Sequence, residues 1–284
     1  MTEHEPHGGL ATAPGLSVPV REPAAQPGGR TRPAECPDVV FVYSGDGSRY
    51  GGTGRGQLAT EPAFADAIDD LDAIFQWEHG FSLRQVFSGR RAVDDVIVRQ
   101  SVLFAVQVGL TALWRAHGIA PTAVLGQSTG EVAAAVAAGA LRLTDAFRIL
   151  AHRAELSTGN LTGNLTGLRP MPAKLPFYST VLADPRERPD FDTGYWIANL
   201  RRPARLAKAI AAALTDGHTT FVEIAPHPVS APTVTETATR TAAGTPVRIL
   251  PSLRHDRDEK LTFLSSLGRL LAPGGGAPAE VGAA

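Results

Sequence analysis

One pentapeptide limits what this chain can become more than any other feature. Gly126-Gln127-Ser128-Thr129-Gly130 has the form G-x-S-x-G, with AVLG running directly into it and EVAAAVAA running directly out. The first flank reads as a short buried strand and the second as a helix of small residues packed close to a neighbour. A strand that turns sharply into a helix at a serine holds the hydroxyl out on a strained bend. Glycines permit both the bend and the close approach of the helix. The helix start places positive partial charge beside Ser128, and the Thr129 N–H points to where an oxyanion would form. Taken alone, the pentapeptide is equally a tight strand-to-helix turn without chemistry.

Elsewhere short apolar runs alternate with longer helical patterns. Strands are predicted at 38–43 (DVVFVY, ending at Ser44-Gly45-Asp46-Gly47), 123–126, 176–182, 219–224 and 246–250. Helices are predicted at 98–117, closed by Gly118, and at 131–138, 205–214 and 260–271. A further helix over 143–156 has Thr144 and Asp145 as capping candidates. Such alternation predicts an α/β fold with a short, mainly parallel sheet covered by helices on both faces.

Residues 1 to about 36 are rich in Pro, Gly, Ala and Arg, and 273–284 read PGGGAPAEVGAA. Both are expected to be disordered and to flank one domain over 37–272. The segment 157–174 contains a tandem GNLT at 159–162 and 163–166 and is expected to be a flexible loop. Both copies match the N-glycosylation pattern, which has no context without a secretory signal.

Hydrophobic residues make up 43% of the 284, enough for an ordinary core. A net charge of −1 argues against nucleic acid and against an anionic membrane surface as partners. Cys36 stands alone, no signal peptide is visible, and no apolar run approaches the roughly 18 residues of a membrane span. A cytoplasmic location is the simplest expectation.

Several longer segments carry a resemblance. VFVYSGDGSRYGGTG (40–54), RQSVLFAVQVGLTALWRAHGIAPTAVLGQSTGEVAAAVAAGAL (99–141), KLPFYSTV (174–181), YWIANLRRPARLAKAI (195–210), DGHTTFVEIAPHPV (216–229) and SLRHDRDEKLTFLSSLGRLL (252–271) occur in this order. Together they resemble the malonyl-CoA:acyl carrier protein transacylase family, including the acyltransferase domains of modular polyketide synthases. The resemblance implies the α/β-hydrolase-like large subdomain of that fold. It makes Ser128 the nucleophile that takes an acyl group from coenzyme A and gives it to the phosphopantetheine thiol of an acyl carrier protein. Backbone N–H groups of Asp46 and Thr129 would form the oxyanion hole. Gln127 stands where the family has a histidine before the serine and is, with Arg153, a substrate-binding candidate by the resemblance. Arg153 matches the arginine that pairs with the free carboxylate of malonyl-type groups, a task suited to a planar guanidinium. No cofactor or metal is implied, because the substrates themselves carry coenzyme A and phosphopantetheine.

The chain departs from the family after the arginine helix. There the family inserts a small ferredoxin-like subdomain bearing the histidine that deprotonates the serine. Here Arg153 is followed almost directly by the GNLT tandem and Lys174, so that subdomain is expected to be absent. Eight histidines remain. His4 and His7 lie in the arm, His79 and His117 near helix ends, His218 in a turn before a strand, and His255 after the last strand. His152 should point to a different face of its helix from Arg153. His227, between Pro226 and Pro228, is the candidate for a substitute base; its plainer reading is a loop histidine held by prolines.

Three functions compete on these grounds. The first is an acyltransferase moving a malonyl-type group through an acyl-serine to a carrier protein in polyketide biosynthesis, slowed by loss of its histidine. The others are an inactive remnant that binds a carrier protein or a polyketide synthase, and an acyl-thioester hydrolase with a cleft opened to water.

Overall fold

The structure is a computed structural model that describes residues 37–45, 54–93, 95–157, 165 and 167–272. All of these fall in one compact unit, Glu35–Ala284. The arm over 1–36 and the tail over 273–284, both expected to be disordered, lie outside the described residues, as does most of the GNLT tandem.

In chain order the elements are β1 (Val40–Tyr43), α1 (Arg55–Thr60), α2 (Pro62–His79), α3 (Leu83–Phe87), α4 (Val96–Ala116), β2 (Ala123–Gly126), α5 (Thr129–Ala137) and α6 (Leu143–Ser157). There follow β3 (Phe177–Tyr178), α7 (Thr193–Arg201), α8 (Leu206–Thr215), β4 (Thr220–Ile224), α9 (Ala231–Thr241), β5 (Arg248–Pro251) and α10 (Glu259–Leu271). The strands form one sheet in the order β3-β2-β1-β4-β5, every neighbouring pair parallel. β1 is the middle strand, with Tyr43 in register with Gly126 on one side and Ile224 on the other.

Alternation along the strands divides the core between two faces. Phe41 and Tyr43 pack with residues of α2, α4, α5 and α6, among them Phe64, Val106 and Val132. Val40 and Val42 pack instead with Leu206, Ile210 and Ala213 of α8 and Val234 of α9. The result is three layers, helix–sheet–helix, and strands buried on both faces, which is why they read as continuous apolar runs. Tight helix contacts depend on single glycines. A Cβ at Gly109 of α4 would come within 2.7 Å of the Phe64 ring.

Two local expectations need correction. Thr144 and Asp145 do not cap α6 but sit inside it, because Ala146 N–H bonds to the Arg142 carbonyl at 3.0 Å and makes Arg142 the capping position. The Asp145 carboxylate instead accepts from Arg169 N–H at 3.4 Å. The run 176–182 contributes only Phe177–Tyr178 as strand. Beyond it the Ser179 hydroxyl accepts from Val181 and Leu182 N–H at 3.0 and 3.1 Å, a local bond that competes with the ladder and turns the chain.

The segment leading from α6 to β3 is anchored rather than free where it is described. Leu165 is buried in the core, and its carbonyl accepts from the Thr193 hydroxyl at 2.8 Å. Met171 and Lys174 N–H bond to the carbonyls of Ala140 and Ala138 at 2.8 and 2.7 Å, so this stretch runs along the end of α5.

Candidate active site

Ser128 stands between β2 and α5 at φ 54° and ψ −120°, a left-handed conformation that a residue with a Cβ adopts only under strain. The surroundings hold it there. Gln127 N–H bonds to the Tyr43 carbonyl at 2.9 Å, Gly130 N–H to the Gln127 carbonyl at 2.9 Å, and Glu131 N–H to the Ser128 carbonyl at 3.1 Å. A Cβ at Gly126 would lie 2.4 Å from the Glu131 Cα, and one at Gly130 only 2.1 Å from the Tyr43 carbonyl oxygen. Both positions therefore require glycine for space, beyond any need for unusual torsions. Thr129 is fully buried, and as the first residue of α5 its N–H has no acceptor within the helix.

Asp46, the other oxyanion donor implied by the resemblance, lies outside the described residues. The chain just before it does reach the bend, since a Cβ at Gly45 would lie 2.8 Å from the Gln127 carbonyl oxygen and 3.3 Å from the Ser128 Cβ.

Arg153, on α6, is 3% exposed and donates from Nη2 to the Ser128 Oγ at 2.8 Å. Its Nη1 donates to the Asn199 Oδ1 on α7. Asn199 Nδ2 in turn donates to the Glu131 Oε2 at 2.5 Å. Glu131 is fully buried on α5 and also accepts from Tyr195 Oη at 2.7 Å, Thr180 N–H at 2.9 Å and Thr180 Oγ1 at 3.1 Å. Burial pushes its carboxyl above the usual carboxylate range, against these four donors. Sequence reasoning brought Ser128, Thr129 and Arg153 to this place but missed Glu131 and Asn199. A glutamate inside an alanine-rich buried helix was the available signal, since a buried carboxylate must be partnered.

A second buried carboxylate organises the loops at the same end of the sheet. Glu223, on β4, accepts through Oε1 from Ser44 Oγ at 2.5 Å and from Val229 and Ser230 N–H at 2.7 and 2.8 Å. Burial raises its carboxyl as well, and its Oε2 has no hydrogen-bond partner among the described residues. Glu223 thus joins the loop after β1 to the loop after β4.

His227 sits on that second loop, and its ring packs against His255 with centroids 3.9 Å apart. No hydrogen bond joins it to Ser128. Burial, and then the neighbouring His255, hold its imidazole below the usual histidine range, which favours the neutral base. His152 is buried on α6, while His117 and His218 face Glu61 and Asp38 respectively. Among the described residues no cluster of three or more His, Cys, Asp or Glu side chains could hold a metal ion.

A serine on a strained strand-to-helix bend, above a parallel sheet and under a guanidinium, defines a serine-centred acyl-transfer fold. Residues 40–164 and 158–274 match the acyl transferase domain family, in two segments that overlap over 158–164, just past the end of α6. The chain belongs to this family, in the form found as acyltransferase domains of modular polyketide synthases.

The spectinabilin polyketide synthase system protein NorA of Streptomyces orinoci is 30% identical over 81% of this chain. That match takes in 16% of the relative, so the chain spans about a sixth of its length. Its alignment is 313 positions long, although 81% of 284 residues is only about 230; about eighty positions of the relative therefore have no counterpart here. The acyltransferase domain of the polyketide synthase PpsC of Mycobacterium tuberculosis superposes with a TM-score of 0.68 at 29% identity, covering 78% of this chain and 92% of that one. The acyltransferase domain of module 8 of the salinomycin polyketide synthase gives 0.73 at 28%, covering 84% and 76%. Among the described residues no helix is long and apolar enough to cross a membrane.

Proposed function

We propose that Ser128 accepts a malonyl-type acyl group from coenzyme A and passes it to the phosphopantetheine thiol of an acyl carrier protein. In the first step the Ser128 oxygen attacks the thioester carbonyl, the carbon–sulfur bond breaks, and the coenzyme A thiol leaves with the serine proton. In the second the carrier thiol attacks the ester, the carbon–oxygen bond breaks, and Ser128 recovers a proton. The observation that carries this reading is the Arg153 guanidinium, buried and 2.8 Å from the Ser128 oxygen. A cation fixed there suits an acyl group whose far end is a carboxylate. Amide donors of Thr129 and Asp46 would take the oxyanion.

The subdomain bearing the family's histidine falls within the unmatched positions on this reading, and the only hydrogen-bond partner of the Ser128 Oγ among the described residues is a donor. Proton removal then falls to His227, whose imidazole is held below the usual histidine range by burial but has no hydrogen bond to the serine. Acylation should accordingly run about 10²–10⁴-fold slower than in a domain with its histidine in place.

Intact-mass spectrometry after incubation with malonyl-CoA tests this. A malonyl adduct is expected on the wild type, slower to form in His227→Ala and absent from Ser128→Ala. No adduct on the wild type, under conditions that label an intact family domain, would overturn the proposal. Release of free malonate without transfer to a carrier protein would make the chain a hydrolase instead.

A further inference from the structure

We infer that Asn199 is a positioning residue that aims Arg153 at the acyl end of the substrate, and so sets a preference for carboxylated over uncharged acyl groups. The inference rests on the reading of Arg153 as a carboxylate clamp and adds how the clamp is held.

The geometry is a relay of three buried side chains. Asn199 is 5% exposed, Arg153 3%, and Glu131 fully buried. The amide of Asn199 uses both of its ends, its oxygen accepting from Arg153 Nη1 and its nitrogen donating to Glu131 Oε2 at 2.5 Å. Rotating the amide would set oxygen against carboxylate and nitrogen against guanidinium, so only one orientation satisfies both neighbours. Glu131 cannot shift to meet the arginine directly, because Thr180 N–H, Thr180 Oγ1 and Tyr195 Oη also hold its oxygens. One amide therefore separates a buried carboxyl group from a buried guanidinium. With Nη1 committed to Asn199, the guanidinium turns Nη2 toward Ser128. A planar fork with one prong fixed has little freedom to point elsewhere.

The arrangement also explains the helix that carries it. α7 begins at Thr193, whose hydroxyl bonds to the Leu165 carbonyl, and Tyr195 and Asn199 lie one turn apart on the face that meets α5. Two residues of one helix face thus serve one carboxylate, and only Asn199 continues to Arg153.

The test separates positioning from simple support. In a Ser128→Ala background, which cannot be acylated, malonyl-CoA and acetyl-CoA binding are measured by calorimetry with Asn199 intact, as Asn199→Leu and as Asn199→Gln. Tyr195→Phe, which removes one donor from Glu131 without touching Arg153, serves as the comparison. The expected result is that Asn199→Leu loses about tenfold or more of the malonyl-over-acetyl preference, the range of a lost hydrogen bond to a charged group. Acetyl-CoA binding stays within about twofold, Asn199→Gln recovers part of the preference, and Tyr195→Phe keeps it. Equal loss for both ligands, no loss in Asn199→Leu, or no malonyl preference with Asn199 intact would overturn the inference. If Asn199→Leu does not fold, Asn199→Gln must still show a preference below that of Tyr195→Phe, and failure to do so also overturns it. Because binding is read without acylation, a wild type that binds malonyl-CoA selectively but never carries an adduct would discard the proposed transfer and leave the role of Asn199 standing.

Discussion

At the scale of residues, two buried glutamates do different work. Glu131 holds Asn199, which accepts from the arginine that meets the serine, whereas Glu223 ties the loop after β1 to the loop after β4. Burial raises the carboxyl of Glu223 above its ordinary 4.5. A carboxyl raised in the folded state binds its proton more tightly there than in the unfolded chain. Its stabilising contribution is then complete below 4.5 and is lost as pH climbs toward the raised value. Glu223→Gln cannot ionise, so its Tm should gain on that of the wild type as melts are taken from pH 4.5 upward. A Tm difference that stays flat across that range would show that Glu223 is not raised. Ser128 and Arg153 were legible in the sequence because motif and order of segments marked them. Asn199 was not, since a lone asparagine on a helix gives no sign of which two charges it will lie between.

At the scale of elements, all five strands were legible as short apolar runs between turn residues. The reason is physical: a parallel strand covered on both faces has few polar positions to blur the pattern, Glu223 on β4 and Arg248 on β5 being among the exceptions. β3 came out shorter than its apolar run because Ser179 takes two backbone amides for itself. The helices α1, α2 and α3 were not read from the sequence, although their punctuation is present. α2 opens on Pro62 and closes at Gly80 with φ 74°, and α3 opens with a capping box of Ser82 and Gln85. The strand-to-helix bend offers a direct test. Gly130→Ala would drive a Cβ to 2.1 Å from the Tyr43 carbonyl, a rigid backbone atom of the central strand. A loss of about 3 kcal/mol, read from urea denaturation, is expected. A change below about 0.5 kcal/mol, the range of neutral surface substitutions, would mean that the bend yields to the added methyl group.

At the scale of the whole molecule, the described residues form a five-stranded parallel sheet with its helices, although about eighty alignment positions of NorA have no counterpart in this chain. Leu165 shows how the shortened connection is secured, with its side chain in the core and its carbonyl tied to Thr193 at the start of α7. Leu165→Ala should cost about 2–3 kcal/mol while leaving a single cooperative melt. A melt without cooperativity in the wild type would contradict a domain that stands without the missing portion. The placement of β1 carries a further consequence for how this protein is made. Its middle strand leaves the ribosome first, yet one of its two partners, β4, is encoded some 180 residues later, Val40 lying opposite Phe221. A nascent chain must therefore wait with one flank of that strand unpaired until the roughly 180 residues up to β4 have been synthesised. Such long-range closure is slow and leaves a sticky edge open to other chains. Yield in a cell should thus depend on chaperone capacity during translation more than on the stability of the finished fold.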